Sequence, residues 1–334
     1  MRYDAAVIGA GPAGSFAALK LSSLGHKTLI IDPRDKKKVC AGILTAQYVR
    51  RYGINEAFVE RELKGVKISF RDIKAQISYR RAVEYSINRE SYDSFNLAQA
   101  IGAGCELKKE LVLSVDEKDS FVEIRTKKEH ITADYVIIAA GVSELCRSLG
   151  GANKYAFCVQ HRKYQKPEDY FEMELLGKGY SWTVPKKDYV LTGTSSYAGY
   201  PDIPGEKGLI PLEPVKNTFS RRTLLAGDAA GFVSPFEGEG IYYARRSGEI
   251  AAEVLSGAIS GSNTLESYEK RWKKEFDFSM LKKLSLLLSS ETVLEAFVRE
   301  IRDNERFNKL VEDILTKEKT FQIKDISMLI KTLV

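Results

Sequence analysis

The 334-residue sequence predicts an α/β fold with a helix-flanked parallel sheet, an inserted antiparallel sheet and a C-terminal helical region. Three patterns indicate this fold. Short, predominantly apolar strands alternate with helical segments early in the chain, which is typical of parallel sheets. Residues 65–81 and 151–217 alternate apolar and polar positions instead, as antiparallel strands do. After residue 264, apolar residues recur at helical spacing.

The first element is a glycine-rich turn between a strand and a helix. Tyr3–Ile8 is a predicted strand, residues 15–24 are a predicted helix, and 27–31 form a second predicted strand that ends at Asp32. The turn itself consists of Gly9, Ala10, Gly11, Pro12, Ala13 and Gly14. Because the Gly-x-Gly-x-x-Gly pattern lies between a strand and a helix, it predicts a Rossmann-like dinucleotide-binding domain.

Physical reasons support that interpretation of the turn. Glycines permit the backbone to approach a pyrophosphate closely, and the following helix N-terminus favours its negative charge. Asp32 lies 18 residues after Gly14, which suits a carboxylate that accepts hydrogen bonds from ribose hydroxyls. Asp32 and the adjacent Pro33 are therefore predicted to belong to the same site.

Two later segments bear on which dinucleotide binds. Residues 133–141 form an apolar strand, and residues 223–231 form another that leads through 234–241 into a helix reaching about Leu255. Their candidate binding residues are Ala140, Gly141, Gly227, Asp228, Pro235, Gly238, Gly240 and Ile241. At these segments the chain resembles the large FAD-dependent oxidoreductases. The resemblance implies FAD, with the ADP part on the first motif and the pyrophosphate and ribityl part at the Gly-Asp pair.

Further residues extend this resemblance. Residues 87–89, ending at Arg89, resemble the strand end whose arginine approaches the cofactor in that superfamily, and Val112 is assigned to the same site. Residues 141–147 resemble the Gly-x-x-Ser-x-x-x-Arg turn of its aromatic-hydroxylase-like branch, with one residue fewer between Gly141 and Ser143, and Ser143 is expected to cap a short helix.

Two short motifs indicate a narrower family. Residues 179–185 resemble the Tyr-x-Trp-x-Phe-Pro signature of the geranylgeranyl reductase family, with Val184 in place of Phe. Residues 38–44 resemble its Cys-Gly-Gly-Gly turn, of which Cys40 and one glycine, Gly42, remain, with Ala41 in place of a glycine. The resemblance implies that the protein is a flavoprotein of isoprenoid lipid biosynthesis that reduces isolated C=C bonds of a polyprenyl lipid.

The same resemblance supplies candidate residues for catalysis and for substrate binding. The implied catalytic residues are Cys40, Tyr180 and Trp182, and the implied substrate-binding residues are Tyr180, Trp182, Pro185 and Phe236. Cys40 and Ala41 are also placed at the cofactor. Taken alone, Cys40 is equally consistent with a small buried hydrophobic residue, and Trp182 with ordinary core packing.

The domain organisation follows from these assignments. The discontinuous FAD-binding domain comprises residues 1–64, 83–150 and 218–262, the substrate sheet comprises 65–82 and 151–217, and the C-terminal helical region comprises 263–334.

Composition and charge restrict the expected partners. The net charge of +6 is too small to indicate a dedicated nucleic-acid binder, so no nucleic-acid partner is expected. Residues 34–81 nevertheless contain 13 Lys or Arg against 5 Asp or Glu, and they include Lys36, Lys37 and Lys38. We expect this stretch to attract a phosphorylated prenyl-lipid head group, an anionic membrane surface or an acidic electron-transfer protein.

Other features bear on cofactors and location. The electron donor is either NAD(P)H or a reduced protein carrier, since no second glycine motif marks an NADPH domain. Four cysteines without a C-x-x-C pairing predict neither a disulfide framework nor a metal site. The sequence begins without a signal-peptide pattern, which predicts a cytoplasmic protein, peripheral at most to a membrane.

Two alternative functions on the same fold are considered. One is a flavin-dependent monooxygenase or halogenase. The chain contains no Asp-Gly pair, which aromatic hydroxylases of this type usually contain, and Tyr180 stands where halogenases need a second Trp. The other is a non-catalytic prenyl-lipid binding protein, which would lack a complete FAD site.

Overall fold

A computed structural model describes residues 2–33, 38–235 and 238–318 of the chain. The strands within these residues are β1 (Arg2–Ile8), β2 (Thr28–Ile31), β3 (Ile43–Leu44), β4 (Val59–Leu63), β5 (Gly65–Phe70), β6 (Ile73–Ser78), β7 (Glu84–Ile87), β8 (Glu106–Lys108), β9 (Val112–Glu117), β10 (Val122–Thr126), β11 (His130–Ile138), β12 (Tyr155–Lys163), β13 (Tyr170–Leu175), β14 (Tyr180–Pro185), β15 (Val190–Ser196), β16 (Glu206–Pro211) and β17 (Thr223–Leu225). The helices are α1 (Pro12–Ser23), α2 (Ala46–Tyr52), α3 (Arg89–Gly102), α4 (Glu144–Ser148), α5 (Ile241–Ile259), α6 (Glu266–Glu275), α7 (Phe278–Leu287), α8 (Glu291–Asp303) and α9 (Glu305–Leu315).

The described residues divide into two compact units. The first unit contains residues 2–33, 90–155, 210–235 and 238–278, and the second contains 38–89, 156–209 and 279–318. Residues 38–64 thus group with the second unit, and the residues after 262 are shared between both. The functional domain boundaries given above stay a prediction.

The first unit is built on a sheet with strand order β8-β2-β1-β11. These strands are parallel, and β17 extends the parallel set along the second half of β11. The β9–β10 hairpin pairs antiparallel with the first half of β11. Most of β1 is buried, which is why it lacks an alternating pattern. The predicted Rossmann-like α/β fold is confirmed.

Helices α1 and α5 pack closely against each other within this unit. A Cβ added at Gly248 of α5 would lie 2.2 Å from the carbonyl oxygen of Ala13 in α1. Only glycine permits so close an approach of the two backbones. The glycine turn that precedes α1 is therefore held by a tightly packed pair of helices.

The second unit contains a seven-stranded sheet of order β16-β12-β15-β14-β13-β5-β6. The two predicted insertions do form one sheet. It differs from the predicted antiparallel arrangement because β5 and β13 pair in parallel, with Val66 opposite Phe171. Parallel pairing needs a long connection, which the residues between these two strands provide. A smaller sheet, β3-β7-β4, lies in the same unit.

The C-terminal helices complete the two units separately. In the second unit α8 packs on β6 and buries Leu294, Phe297, Val298 and Ile301, so the predicted apolar face of this helix is confirmed. In α9 the Asn308 side chain donates a hydrogen bond to the Gln76 carbonyl oxygen at 2.9 Å. In the first unit α6 packs on α5, and the Tyr268 hydroxyl donates to the Leu225 carbonyl oxygen at 2.9 Å.

Among the helices that the structure describes, none combines the length and the apolar character required to cross a membrane.

Candidate functional site

The glycine turn of the first unit has two glycines that the protein itself requires. Gly9 has a φ of +103°, and a Cβ there would lie 2.4 Å from the Ala139 carbonyl oxygen. A Cβ at Gly14 would lie 1.8 Å from the Gly9 carbonyl oxygen. Gly11 differs, because among the described residues no atom outside its chain neighbours lies within 4 Å of its added Cβ, and its φ of −74° suits any residue. The open space beside Gly11 is where a ligand can approach the backbone.

The helix after this turn begins without a side-chain cap. Gly11 is the N-cap residue of α1, and Pro12 follows in its first turn. The first N–H groups of a helix carry partial positive charge, which attracts a phosphate. The turn therefore has the geometry and the polarity of a pyrophosphate site.

Asp32 is fixed at the end of β2 by the same turn. Its carboxylate oxygen Oδ2 accepts a hydrogen bond from the Ala10 backbone N–H at 2.7 Å. Pro33, which was assigned to the same site, follows it directly and is half-buried. Asp32 thus lies beside the turn, where a bound dinucleotide would present its ribose.

Replacing Asp32 with alanine is expected to weaken FAD binding about tenfold, because a carboxylate that positions a ligand is lost. The matched control is Asp4→Ala, since Asp4 also accepts a backbone hydrogen bond, from Lys27 N–H at 2.8 Å. Both variants lose one such bond, so their stability losses should be similar. The FAD affinities of the two variants are measured by titrating each apoprotein with FAD and following flavin fluorescence. Equal affinities would show that Asp32 does not contribute to FAD binding.

Three strand ends bring the other cofactor candidates to the same edge of the sheet. Gly9 N–H donates to the Ile31 carbonyl oxygen at 2.9 Å, and Ala139 N–H donates to that of Ile8 at 2.8 Å. Ala226 N–H donates to the Ile138 carbonyl oxygen at 3.0 Å. The residues that follow these strands are Ala140, Gly141, Gly227 and Asp228.

The start of α5 lies beside Asp228. A Cβ added at its N-cap residue, Gly240, would lie 3.6 Å from Asp228 Oδ1, and Ile241 is the first helical residue. Pro235 and Gly238 lie in the preceding turn, and Val112 is buried at the start of β9. Phe236 lies outside the described residues. Ser143 caps α4 as predicted, because its Oγ accepts from Cys146 N–H at 3.1 Å.

The Cys40 turn belongs to the second unit. Gly42 N–H donates to Cys40 Sγ at 3.4 Å, and the Gly42 carbonyl oxygen accepts from Ile87 N–H at 2.8 Å. Arg89 lies against the same turn, with its Cγ 3.3 Å from a Cβ added at Gly42. The structure therefore brings together Cys40, Ala41 and Arg89, three of the predicted cofactor residues.

Tyr180 and Trp182 project from one face of β14. Their ring centroids are 5.6 Å apart. Trp182 is buried and packs on Gly193 of β15, where an added Cβ would lie 2.3 Å from the indole ring. Tyr180 is half-buried. Pro185, predicted to bind substrate, is buried at the end of the same strand.

The surroundings of Tyr180 include two cysteines. Burial raises the pKa of the Tyr180 hydroxyl, and Cys158, Tyr197 and Cys40 each raise it further by their proximity. Burial also raises the pKa of the Cys158 thiol to about 12. Cys158 is therefore protonated and unreactive at neutral pH, whereas Cys40 is half-buried and lies near the Tyr180 hydroxyl.

An open cavity of about 380 Å³ is lined in part by Ser195, which contacts the backbone of Tyr180. Its lining includes Leu176, Lys178, Ser195 and Tyr200. Ser195 Oγ also donates to the Tyr180 carbonyl oxygen at 3.1 Å. The cavity thus combines apolar surface with a basic side chain.

One buried ion pair near the Cys40 turn was not predicted. The Lys186 side chain is 2% exposed and its Nζ lies 3.4 Å from Glu60 Oε2. In the sequence Lys186 is followed by Lys187, and both look like exposed turn residues. No pattern in a single sequence distinguishes them, because the burial of Lys186 comes from contacts with strands more than 90 residues away.

The positive charge of residues 34–81 is smaller at the surface than its residue count indicates. Among the described residues, five of its cations form ion pairs within the second unit, namely Arg61 and Lys64 with Asp169, Lys67 with Glu168, Arg71 with Glu291, and Arg81 with Glu318. Lys38 is exposed, whereas Lys36 and Lys37 lie outside the described residues. Attraction of an anionic partner by this stretch stays a prediction.

Comparison with known proteins gives similarity along most of the chain. Residues 3–172 match the model of the pyridine nucleotide-disulphide oxidoreductase family. A chloroplastic geranylgeranyl diphosphate reductase of Oryza sativa subsp. japonica is 28% identical, with 96% of this chain and 80% of that protein covered. A digeranylgeranylglycerophospholipid reductase of Methanococcus vannielii is also 28% identical, with coverages of 93% and 90%.

A solved structure agrees with the fold. A geranylgeranyl bacteriochlorophyll reductase-like protein of Thermoplasma acidophilum superposes with a TM-score of 0.79 at 24% identity, with 98% of this chain and 99% of that chain covered. The predicted resemblance to the geranylgeranyl reductases is therefore confirmed. Because the family model matches 170 of the 334 residues, just over half of the sequence, the chain belongs to the pyridine nucleotide-disulphide oxidoreductase family.

Proposed function

We propose that this protein is an FAD-dependent oxidoreductase that reduces isolated C=C bonds of a geranylgeranyl-type polyprenyl lipid. The observation that carries the proposal is the extent of the similarity to two reductases of geranylgeranyl lipids. It covers 96% and 93% of this chain, so it includes the second unit as well as the dinucleotide turn. A shared dinucleotide fold alone would not extend so far.

The residues of the first unit fit FAD. The open space at Gly11, the uncapped start of α1 and the positioned Asp32 carboxylate suit the pyrophosphate and ribose of the ADP part. Gly227, Asp228 and the start of α5 would hold the remainder. Reduced FAD supplies a hydride when it is bound.

The second unit would bind the prenyl chain. An isolated alkene has no charged atom to stabilise, so the barrier must be lowered by orientation and by exclusion of water. Tyr180 and Trp182 provide adjacent aromatic surface for that purpose. Each reduced bond also takes up one proton, for which the half-buried Cys40 thiol is the proposed donor.

The electron donor and the location belong to the same proposal. NAD(P)H or a reduced protein carrier would reduce the flavin, and a lipid substrate implies contact with a membrane surface from the cytoplasmic side. Anaerobic flavin bleaching by NADPH, NADH or reduced ferredoxin identifies the donor.

Geranylgeranyl diphosphate and digeranylgeranylglycerophospholipid are the substrates for the decisive assay. We expect dithionite-reduced holoenzyme to add two hydrogens for each bond reduced, detected by mass spectrometry of the extracted lipid. The Gly11→Ala variant, which should lack FAD, is the control. No gain of mass with either lipid, in protein whose flavin content is complete, would refute the proposal.

The same preparation tests the two alternatives. Oxygen-dependent consumption of NADPH with an aromatic substrate would indicate a monooxygenase or halogenase. A colourless protein that binds prenyl lipid without flavin would indicate a non-catalytic carrier.

A further inference from the structure

Lys186 is a buried cation that the proposed reaction does not yet use. It follows Pro185 at the end of β14 and its side chain is 2% exposed, whereas the neighbouring Lys187 is exposed. Lysine is almost never buried without partners, since removing an ammonium from water is costly. The position of Lys186 therefore requires a specific set of acceptors.

Three acceptors surround the Lys186 ammonium. Its Nζ donates to the Ile87 carbonyl oxygen at 2.8 Å and lies 3.4 Å from both the Gly42 carbonyl oxygen and Glu60 Oε2. Of its three N–H donors, two serve the carbonyl oxygens, while Glu60 is close enough for an ion pair but is not hydrogen-bonded to the ammonium within the described residues. The two carbonyl groups belong to the Cys40 turn and to the end of β7, which the Ile87 N–H to Gly42 hydrogen bond already joins.

Residues of strand β4 contact both the side chain and the backbone of Lys186. Glu60 pairs with the ammonium, and the adjacent Arg61 donates from Nε to the Lys186 carbonyl oxygen at 3.0 Å. Arg61 also donates to the Lys187 carbonyl oxygen at 3.1 Å and to Asp169 at 2.6 Å. The Lys186 side chain is thus directed toward the Cys40 turn by a network within one unit.

Gly42 leaves room for this ammonium. With a φ of +71°, its added Cβ would lie 2.7 Å from the Ile87 carbonyl oxygen and 3.1 Å from Lys186 Nζ. Gly53 has the same φ of +71°, but its added Cβ meets no atom within 4 Å. Because Gly42 has no side chain, the Lys186 ammonium can lie directly beside the Cys-Ala-Gly turn.

The charged groups around Lys186 come from three elements. Burial lowers its pKa to about 8, Glu60 and Cys40 oppose that decrease, and Arg89 adds to it. Because the lowered value is near neutrality, the ammonium is the main form below pH 8 and the neutral amine above it. A neutral amine lacks the positive charge that attracts Glu60 and strengthens the hydrogen bonds to the two carbonyl groups.

We propose that Lys186 is a positioning residue that holds the Cys40–Gly42 turn in its reactive conformation through the Gly42 and Ile87 carbonyl groups. The part that Lys186 plays in the reaction rests on the proposed function, because Cys40 is the proton donor proposed for that reaction. Loss of the ammonium, by mutation or by deprotonation, releases the turn. The inference about the turn itself does not depend on the substrate.

Hydrogen exchange of the holoenzyme tests the conformational claim. At pH 7, Lys186→Met should increase amide exchange at least about tenfold in peptides that cover residues 40–44 and 84–89. Lys187→Met is the matched control and should leave those peptides unchanged. Equal exchange in the two variants would overturn the proposal, whatever the enzyme proves to reduce.

Two further variants keep the test valid if Lys186→Met does not fold. Glu60→Gln removes the anion that raises the Lys186 pKa, so the alkaline decline in kcat, expected near pH 8 in the unmodified protein, should move to lower pH. Gly42→Ala should lower kcat about tenfold with little change in KM, whereas Gly53→Ala should not. An unmoved pH profile, or equal effects of the two alanine variants, would contradict the assignment of Lys186.

Discussion

Replacing Gly11 with alanine is expected to abolish FAD binding while leaving the apoprotein nearly as stable as before. In the part of the chain that the structure describes, only the neighbouring residues lie within 4 Å of the added methyl group, and the φ of −74° suits alanine. The cost to the fold is about 1 kcal/mol, for a poorer N-cap residue. The methyl group instead occupies the space that a pyrophosphate needs, so affinity should fall by at least about a hundredfold, or about 2.8 kcal/mol.

Flavin absorbance after purification and FAD titration of the apoprotein measure this effect. Thermal melting must be compared between apoproteins, because bound FAD itself stabilises the folded state. Gly102→Ala, which also meets no atom within 4 Å, is the neutral control in the same unit. Gly14→Ala should lose both fold and flavin, since its methyl group would lie 1.8 Å from the Gly9 carbonyl oxygen. Normal FAD affinity in Gly11→Ala would place the dinucleotide elsewhere.

Replacing Trp182 with alanine should destabilise the second unit by about 3–5 kcal/mol, because the indole fills a buried site against Gly193. Trp182→Phe is the variant whose stability is compared with that of Trp182→Ala. Within the described residues, the Trp182 Nε1–H is buried and donates to no acceptor. Phenylalanine removes that unsatisfied donor and keeps an aromatic ring beside Tyr180, so its net cost should be within about 1 kcal/mol.

Urea denaturation and lipid reduction should therefore give different results for the two Trp182 variants. If the ring serves as apolar wall, Trp182→Phe should retain most of the turnover. A stable Trp182→Phe protein with turnover reduced more than about a hundredfold would show instead that the indole N–H takes part in binding or catalysis.

The glycine turn and its neighbours were predictable because the information is local. Gly9, Gly14 and Asp32 are constrained by contacts within one strand–helix–strand unit, and their spacing in the sequence reflects those contacts. The β14 strand was predicted for a similar reason, since Tyr180 and Trp182 alternate with polar residues. Ser143 follows the rule that a serine before a short helix caps it.

The features that escaped prediction depend on pairing between distant segments. The parallel β5–β13 pair joins strands that no local pattern connects. Strand β16 was missed because its polar start, Glu206 and Lys207, resembles a loop. Lys186 and Lys187 are indistinguishable in sequence, yet β4 and β7 bury one of them. Two cations of the basic stretch, Arg61 and Lys64, pair with Asp169, which lies outside that stretch.

The parallel β5–β13 pair and the packing of α8 on β6 have a consequence for how the protein folds during its synthesis on the ribosome. Strands β5 and β6 leave the ribosome about a hundred residues before their partner β13, and α8 is synthesised later still. During that interval the β5–β6 hairpin has an unpaired strand edge and one uncovered apolar face. Such exposed surfaces are typical starting points for misassembly. A nascent chain arrested before residue 291 should therefore associate with chaperones more strongly than the finished chain.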